Sequence, residues 1–415
     1  MRIHLRARPA ALLLLLAPFW LGADCGSQPH DRNTLQAMID AAGPGGEVVF
    51  PVGVHRICKA LRALPGQTWD LSAATLRRCD AVVTTLLEDA PAGSMSVRVA
   101  DTTGFEPGQR VTPVKEPGHS GGDAQVPHWI SSIVGDVIHF SNGLLQDYQA
   151  GDSFLVIEPI VMSAPGGIDG FTLRGGIIDG NRRGNPHFVA WEVAPSLQFG
   201  GQGVVLEDVV FRDCWGDCIK ANAATDSTVR RVRFVGGSTA AIHLTLVERL
   251  RIESSVFSAL NQDAKLAEHS EGAVTWSSLN RGITIQDSCF EDIPSDQAMG
   301  ALAHTNFQWN SEVYVYDNQF CRVPAIWTGH LSAEPRPGFD PTGIVEIVGN
   351  YAVDAGLTRV RVRSTLASSV FGVVFAQNVL VNAAWDFSEA HDPIVQGNVV
   401  LPAPAECSCD SWLAP

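Results

Sequence analysis

One short pattern recurs along the second half of this chain, and it constrains the fold more than any other feature. It reads Glu207-Asp208-Val209-Val210-Phe211, Arg230-Arg231-Val232-Arg233-Phe234, Glu253-Ser254-Ser255-Val256-Phe257, Gln286-Asp287-Ser288-Cys289-Phe290 and Tyr316-Asp317-Asn318-Gln319-Phe320. Weaker copies end at Ala352, Leu380 and Val400, with anchor-to-anchor steps of 23, 23, 33, 30, 32, 28 and 20 residues. Self-similarity at such periods marks a repeat architecture in which each unit buries its apolar face only by stacking on its neighbours. Each unit holds short alternating runs, such as Ile283-Thr284-Ile285 and Val313-Tyr314-Val315, broken by Gly, Asn, Asp and Ser. That is the signature of strands and turns. No helical pattern separates the units, which argues against βαβ units and leucine-rich repeats.

An all-β, right-handed, single-stranded parallel β-helix meets these requirements. Coils stack at the strand spacing of about 4.8 Å, so equivalent side chains form ladders. The position two before each anchor reads Val209, Val232, Ser255, Ser288, Asn318, Asn350, Asn378 and Asn398. Four successive asparagines in one register predict a column of amides that bond up and down the stack and cap the turn backbone. Gly 39 and Pro 24 among 415 residues suit a turn-rich chain. With 45% apolar and 18% charged residues, the chain can bury a large core. The nine cysteines read as disulfides, since no histidine falls at zinc-finger spacing from them. Cys58 and Cys79 share one region, Cys214 and Cys218 are close neighbours, and Cys407 and Cys409 lie in the tail. Cys289 and Cys321 flank successive anchors, so stacking predicts a bond between them.

At the N-terminus, Arg2, Arg6 and Arg8 precede a short apolar run and a small-residue cleavage site, Leu21-Gly22-Ala23. Residues 1–23 are therefore expected to be a secretory signal peptide. Cys25, followed by Gly-Ser, raises the alternative of a lipid anchor to the cell envelope. No later stretch is long and apolar enough to span a bilayer. Thr34 to Ala42 places Leu35, Met38, Ile39 and Ala42 on one helical face, with Gly43-Pro44 as the stop. The run TLQAMIDAAGPGGEVVFPVGVHRI resembles the N-terminal signature of the pectate lyase-like superfamily, in which an amphipathic helix caps a right-handed parallel β-helix. Ile177-Ile178-Asp179-Gly180-Asn181 is similar to a turn common there. The resemblance covers residues 34–80 and 165–400. It implies the fold, but that superfamily holds lyases, hydrolases, epimerases, esterases and adhesins. The expected organisation is a capping helix and first coils over 24–92, a small β-rich insertion over 93–160, the β-helix over 161–400 and a tail over 401–415. Within the insertion, 116–126 is polar and Gly-rich and reads as a mobile loop.

Alternation along the strand after each anchor directs Ile219, Ile242, Val274, Leu302, Ile326 and Val360 inward. Lys220, His243, Thr275, Ala303, Trp327 and Arg361 then point outward, with Arg363 in the next outward row. Stacking sets Lys220 beside His243, with Asp217 just before that strand. A titratable base next to a cation suits proton abstraction beside a carboxylate. Lys220, His243 and Asp217 are thus the candidate catalytic groups. Trp215, Trp327, Arg361, Arg363, His269 and Glu271 are candidates for substrate binding, the last two from a long loop over 258–271. Trp215-Gly216-Asp217-Cys218-Ile219 resembles a stretch of the polygalacturonases that carries paired aspartates, but only Asp217 of the pair remains. Inverting hydrolysis needs two carboxyl groups. The expected function is a secreted polysaccharide-active enzyme, a lyase cleaving an acidic, uronate-containing glycan by β-elimination. Alternatives are a glycoside hydrolase using Asp217 and Glu271, a uronate epimerase, and a non-catalytic glycan-binding β-helix or adhesin. Calcium held by Asp179, Asp213 and Asp217 is the one cofactor considered. The expected partner is a polysaccharide met by a monomer. A formal charge of −15 argues against nucleic acid.

Overall fold

The computed structural model describes residues 32–115, 123, 126, 128–163, 167–185, 195–260, 272–293, 302–323, 325–332, 343–355, 357–363, 371–386, 393–401 and 407–409. The expected signal peptide, Cys25, His269 and Glu271 lie outside them. One α-helix, Arg32–Ala42, buries Leu35 and Ile39. Both belong to a core cluster with Val48, Phe50, Leu61 and Trp69, so the helix closes one end of that core. Gly43, at φ 65°, ends it in the left-handed conformation that glycine adopts at no cost.

The chain then winds as a parallel β-helix. One wall is an 11-stranded parallel sheet running from Gly53–Ile57 through Val210–Cys214 and Cys289–Glu291 to Val399–Leu401. The repeat anchors are its core column. Phe211, Phe234, Phe257, Phe290 and Phe320 stack in register, with successive ring centroids 5.4, 4.8, 4.5 and 4.8 Å apart. Such offset stacking adds to the burial of five large apolar side chains.

The polar column is present as the register required. Asn350 Oδ1 accepts from the backbone N–H of Asn318 at 2.9 Å and from its Nδ2 at 3.1 Å. Asn378 repeats this toward Asn350, and Asn398 toward Asn378. The hydroxyls of Ser255 and Ser288 continue the column, accepting from Val232 and Ser255 N–H groups. The residue before each of these positions takes a left-handed φ: Asp208, Arg231, Ser254, Asp287, Asp317, Gly349, Gln377 and Gly397. Glycine and aspartate fill five of these eight sites because they tolerate that backbone best.

Four disulfides form. Cys58–Cys79 and Cys214–Cys218 join near neighbours. The expected Cys289–Cys321 bond does not form. Cys289 pairs across the sheet with Gln319 and Cys321 with Glu291, so the two cysteines are two residues out of register. Cys289 bonds Cys409 and Cys321 bonds Cys407 instead, which straps the tail along this wall.

Residues 83–156 build a six-stranded antiparallel sheet, in which Arg110–Val114 pairs with both His128–Val134 and Ser153–Val156. It has its own core around Val97, Phe105, Ile138, Phe140 and Phe154. The expected mobile loop 116–126 lies outside the described residues except for Val126 and Asp123. Asp123 is buried and accepts from Leu145 N–H at 2.7 Å and Tyr148 OH at 2.8 Å, with His128 Nε2 at 3.0 Å. Burial pushes its carboxyl up, but these bonds outweigh it and hold the group below its usual range.

Candidate functional site

On a second wall, Cα partners run in one unbroken row across successive coils. Arg62, Met162, Gln198, Lys220 and His243 follow one another. The row continues through Thr275, Ala303 and Thr328 to Arg359. Alternation explains its facing. Leu61 and Ala63, Leu197 and Phe199, Ile219 and Ala221, and Ile242 and Leu244 all enter the core on either side of it.

Lys220 and His243 are register partners, as the repeat implies. Their surroundings differ. Lys220 is half-buried, whereas His243 and Asp217 are fully buried, not solvent-facing as the outward row suggested. Asp217 Oδ1 accepts from Thr239 Oγ1 at 2.8 Å, and its Oδ2 lies 3.5 Å from His243 Nδ1. Asp217 thus lies behind the row and bears on its histidine.

Trp215 is also buried, and the Arg78 guanidinium stacks over it at 5.5 Å, so its ring meets a cation of the protein. Trp327 pairs with Leu302, not with Ala303 as expected. The row therefore passes through Thr328 and Arg359. Arg361 and Arg363 pair with His330 and Ser332. At five coil steps, Arg359 is roughly 24 Å from Lys220, so this arginine-rich strand is not brought to Lys220. Asp179 is paired with Arg212 at 2.8 Å. Among the described residues no three His, Cys, Asp or Glu side chains converge to hold a metal ion.

The Arg62 end of the row opens into a cleft of about 770 Å³ that the sequence did not point to. Arg62, Met162, Gln198 and Asn222 line it from the β-helix, and Trp129 from the antiparallel sheet. The Arg62 guanidinium carbon stands 5.9 Å from the centre of the Trp129 ring. No carboxylate lines the cleft among the described residues. Close to it, Arg78 and Arg110 are buried with a single carboxyl, Glu158. Glu158 accepts from the N–H groups of Ala60 and Arg110, and its carbonyl from Arg78. Burial draws both arginines down to about 10, so they stay charged at neutral pH. Burial also pushes Glu158 up. The local balance is positive in a chain of net charge −15.

Arg62 and Gln198 carried a usable signal, since each is the polar residue in an apolar-polar-apolar triplet, Leu61-Arg62-Ala63 and Leu197-Gln198-Phe199. Trp129 carried none, because its place depends on how a sheet docks 67 residues from Arg62 in sequence.

No family model and no curated protein matches the sequence. Solved structures do. An exopolygalacturonase from Thermotoga maritima is similar over 89% of this chain and 84% of its own, at 10% identity and a TM-score of 0.49. A polygalacturonase from Erwinia carotovora is similar over 89% and 95%, at 12% identity and a TM-score of 0.48. The A-module of a mannuronan C-5 epimerase from Azotobacter vinelandii is similar over 90% and 96%, at 14% identity and a TM-score of 0.38. At these identities and scores the likeness says nothing of the reaction.

Proposed function

We propose that this protein is a secreted polysaccharide lyase acting on an acidic, uronate-containing glycan laid along the Arg62–Lys220 row. The observation that carries this reading is the lining: cationic and neutral donors beside an aromatic ring, and no carboxylate among the described lining residues, on an acidic protein. A polyanion fits such a wall and is repelled by most of the remaining surface. In β-elimination a base takes the proton at C5, beside the uronate carboxylate. The electron pair forms the C4–C5 double bond, the C4–O bond to the leaving sugar breaks, and the leaving oxygen takes up a proton from water. Lys220, half-exposed next to the cleft, would take the C5 proton in its neutral amine form, the form that carries a lone pair. A fully buried imidazole does not reach a sugar, so His243, backed by Asp217, is a positioning group behind it. Arg62 meets the charge of the polymer. Four disulfides support an oxidising, extracellular or periplasmic setting. No helix among the described residues is long and apolar enough to cross a membrane.

A hydrolase would need two carboxyl groups flanking the scissile bond. Asp217 is buried, and among the described residues the lining offers no second one. The burial of Asp217 and His243 favours one other reading, a glycan-binding wall without turnover. A panel of purified glycans, followed both for new reducing ends and for unsaturated-uronate absorbance, separates the three. A lyase raises both signals and a hydrolase only the first. Binding with neither signal overturns the enzymatic reading.

A further inference from the structure

The cleft is not built by the β-helix alone. Arg110 and Trp129 are direct partners across the antiparallel sheet, so their side chains leave the same face of it. Both reach the β-helix wall. Trp129 lines the cleft and stands against Arg62. The Arg110 side chain, only 5% of the residue being exposed, donates from Nη1 to Gln198 Oε1 at 3.5 Å.

A guanidinium has donors only. It therefore holds the carbonyl oxygen of Gln198, which turns the two amide hydrogens away from Arg110. Gln198 is itself a cleft residue and the register neighbour of Lys220. Arg110 is almost wholly buried, which restricts its side chain, and its backbone N–H is tied to the buried Glu158. Arg62 and the oriented amide of Gln198 then present donors at this end of the cleft, beside one aromatic face. A planar acceptor with two oxygens, carried on a ring with an apolar face, matches that arrangement.

We propose that the antiparallel sheet completes a subsite for one uronate residue next to Lys220: Trp129 lies against the sugar, Gln198 reads its carboxylate, and Arg110 is the positioning residue that sets the Gln198 amide. This rests on the reading of the row as a glycan site and adds that the sheet, not only the coils, selects the acidic sugar.

The test is a binding measurement on the full chain. Tetrasaccharides of galacturonate, mannuronate, guluronate and glucuronate are titrated by calorimetry, and the tightest is compared with its methyl ester, which removes the charge and adds one methyl group. Gln198→Glu keeps the size and an oxygen for Arg110 but replaces the amide donors with a carboxylate. It should weaken the free acid at least about tenfold, the scale of one charge-assisted hydrogen bond, and leave the ester within about twofold. Trp129→Ala should weaken both ligands about tenfold. Arg110→Met should lower the acid-to-ester preference, and Arg110→Lys should restore part of it, which loss of folding alone would not do. Equal effects of Gln198→Glu on acid and ester, or no binding of any acidic tetrasaccharide, would overturn the proposal. Full turnover by Lys220→Ala would overturn the catalytic reading and leave these binding ratios standing.

Discussion

Oδ2 of Asp217 and Nδ1 of His243 lie 3.5 Å apart on neighbouring coils, and neither side chain is exposed to water. Taking one member from such a buried pair strands the other, at a cost of about 3–5 kcal/mol where the remaining group stays charged. His243→Ala should therefore lower both the melting temperature and turnover. Lys220→Ala, at a half-exposed position, should lower turnover alone. Thermal melts of the two variants beside wild type check this separation. A His243→Ala protein as stable as wild type would contradict the pairing.

The asparagine column makes a second, independent expectation. Asn350 accepts from Asn318 and donates to Val315, Val348 and Asn378. Leucine at this position leaves buried N–H and C=O groups unpaired, which should cost about 1–3 kcal/mol. Denaturant unfolding of Asn350→Leu measures it, and an unchanged midpoint would speak against the column.

The two tail disulfides span 120 and 86 residues of sequence. Mass mapping of non-reduced peptides should find Cys289 with Cys409 and Cys321 with Cys407. A peptide joining Cys289 to Cys321 would instead mean that the coil register is shifted by two residues. Changing Cys407 and Cys409 to serine should destabilise the fold by several kcal/mol, at about 2–4 kcal/mol for each long loop released.

Asp123 gives a pH dependence. Its carboxyl is held below the usual value of 3.8, so the folded state favours the ionised form. The resulting stabilisation is complete above that value and is lost as pH falls through the lower, folded one. The stability gap between wild type and Asp123→Asn should thus shrink as pH falls below about 4. The groups facing Asp123 are His128, Tyr148 and, over the Tyr148 ring, Lys115. Melting curves across pH give the gap, and a gap that does not change with acid would refute the assignment.

The columns were legible in the sequence because each repeat imposes the same demand at the same position. Asn318, Asn350, Asn378 and Asn398 share one chemical environment, and so do the stacked phenylalanines. Register between walls was less legible. At Ile326-Trp327 two large apolar residues stand side by side, so alternation does not say which enters the core, and the row was carried one residue off at Trp327 and two residues off at Arg361. Alternation also tells which side of a strand a residue leaves by, not what covers it there, so the burial of His243 was invisible. The partners of Cys289 and Cys321 come from a tail without periodicity. The cleft was missed for a similar reason. Trp129 and Arg110 belong to a non-repeating sheet, and only docking brings them to Arg62 and Gln198.

The most direct test of the site is turnover by Lys220→Ala on whichever acidic glycan the panel identifies. The matched control is Arg98→Ala, which removes an exposed cation paired with Asp136 on the antiparallel sheet. Loss of the proton-abstracting group should lower kcat at least about 100-fold, with the melting temperature unchanged. Arg98→Ala should stay near wild type in both. If Lys220→Ala keeps full turnover on a substrate that wild type cleaves, the chemistry does not lie on this row.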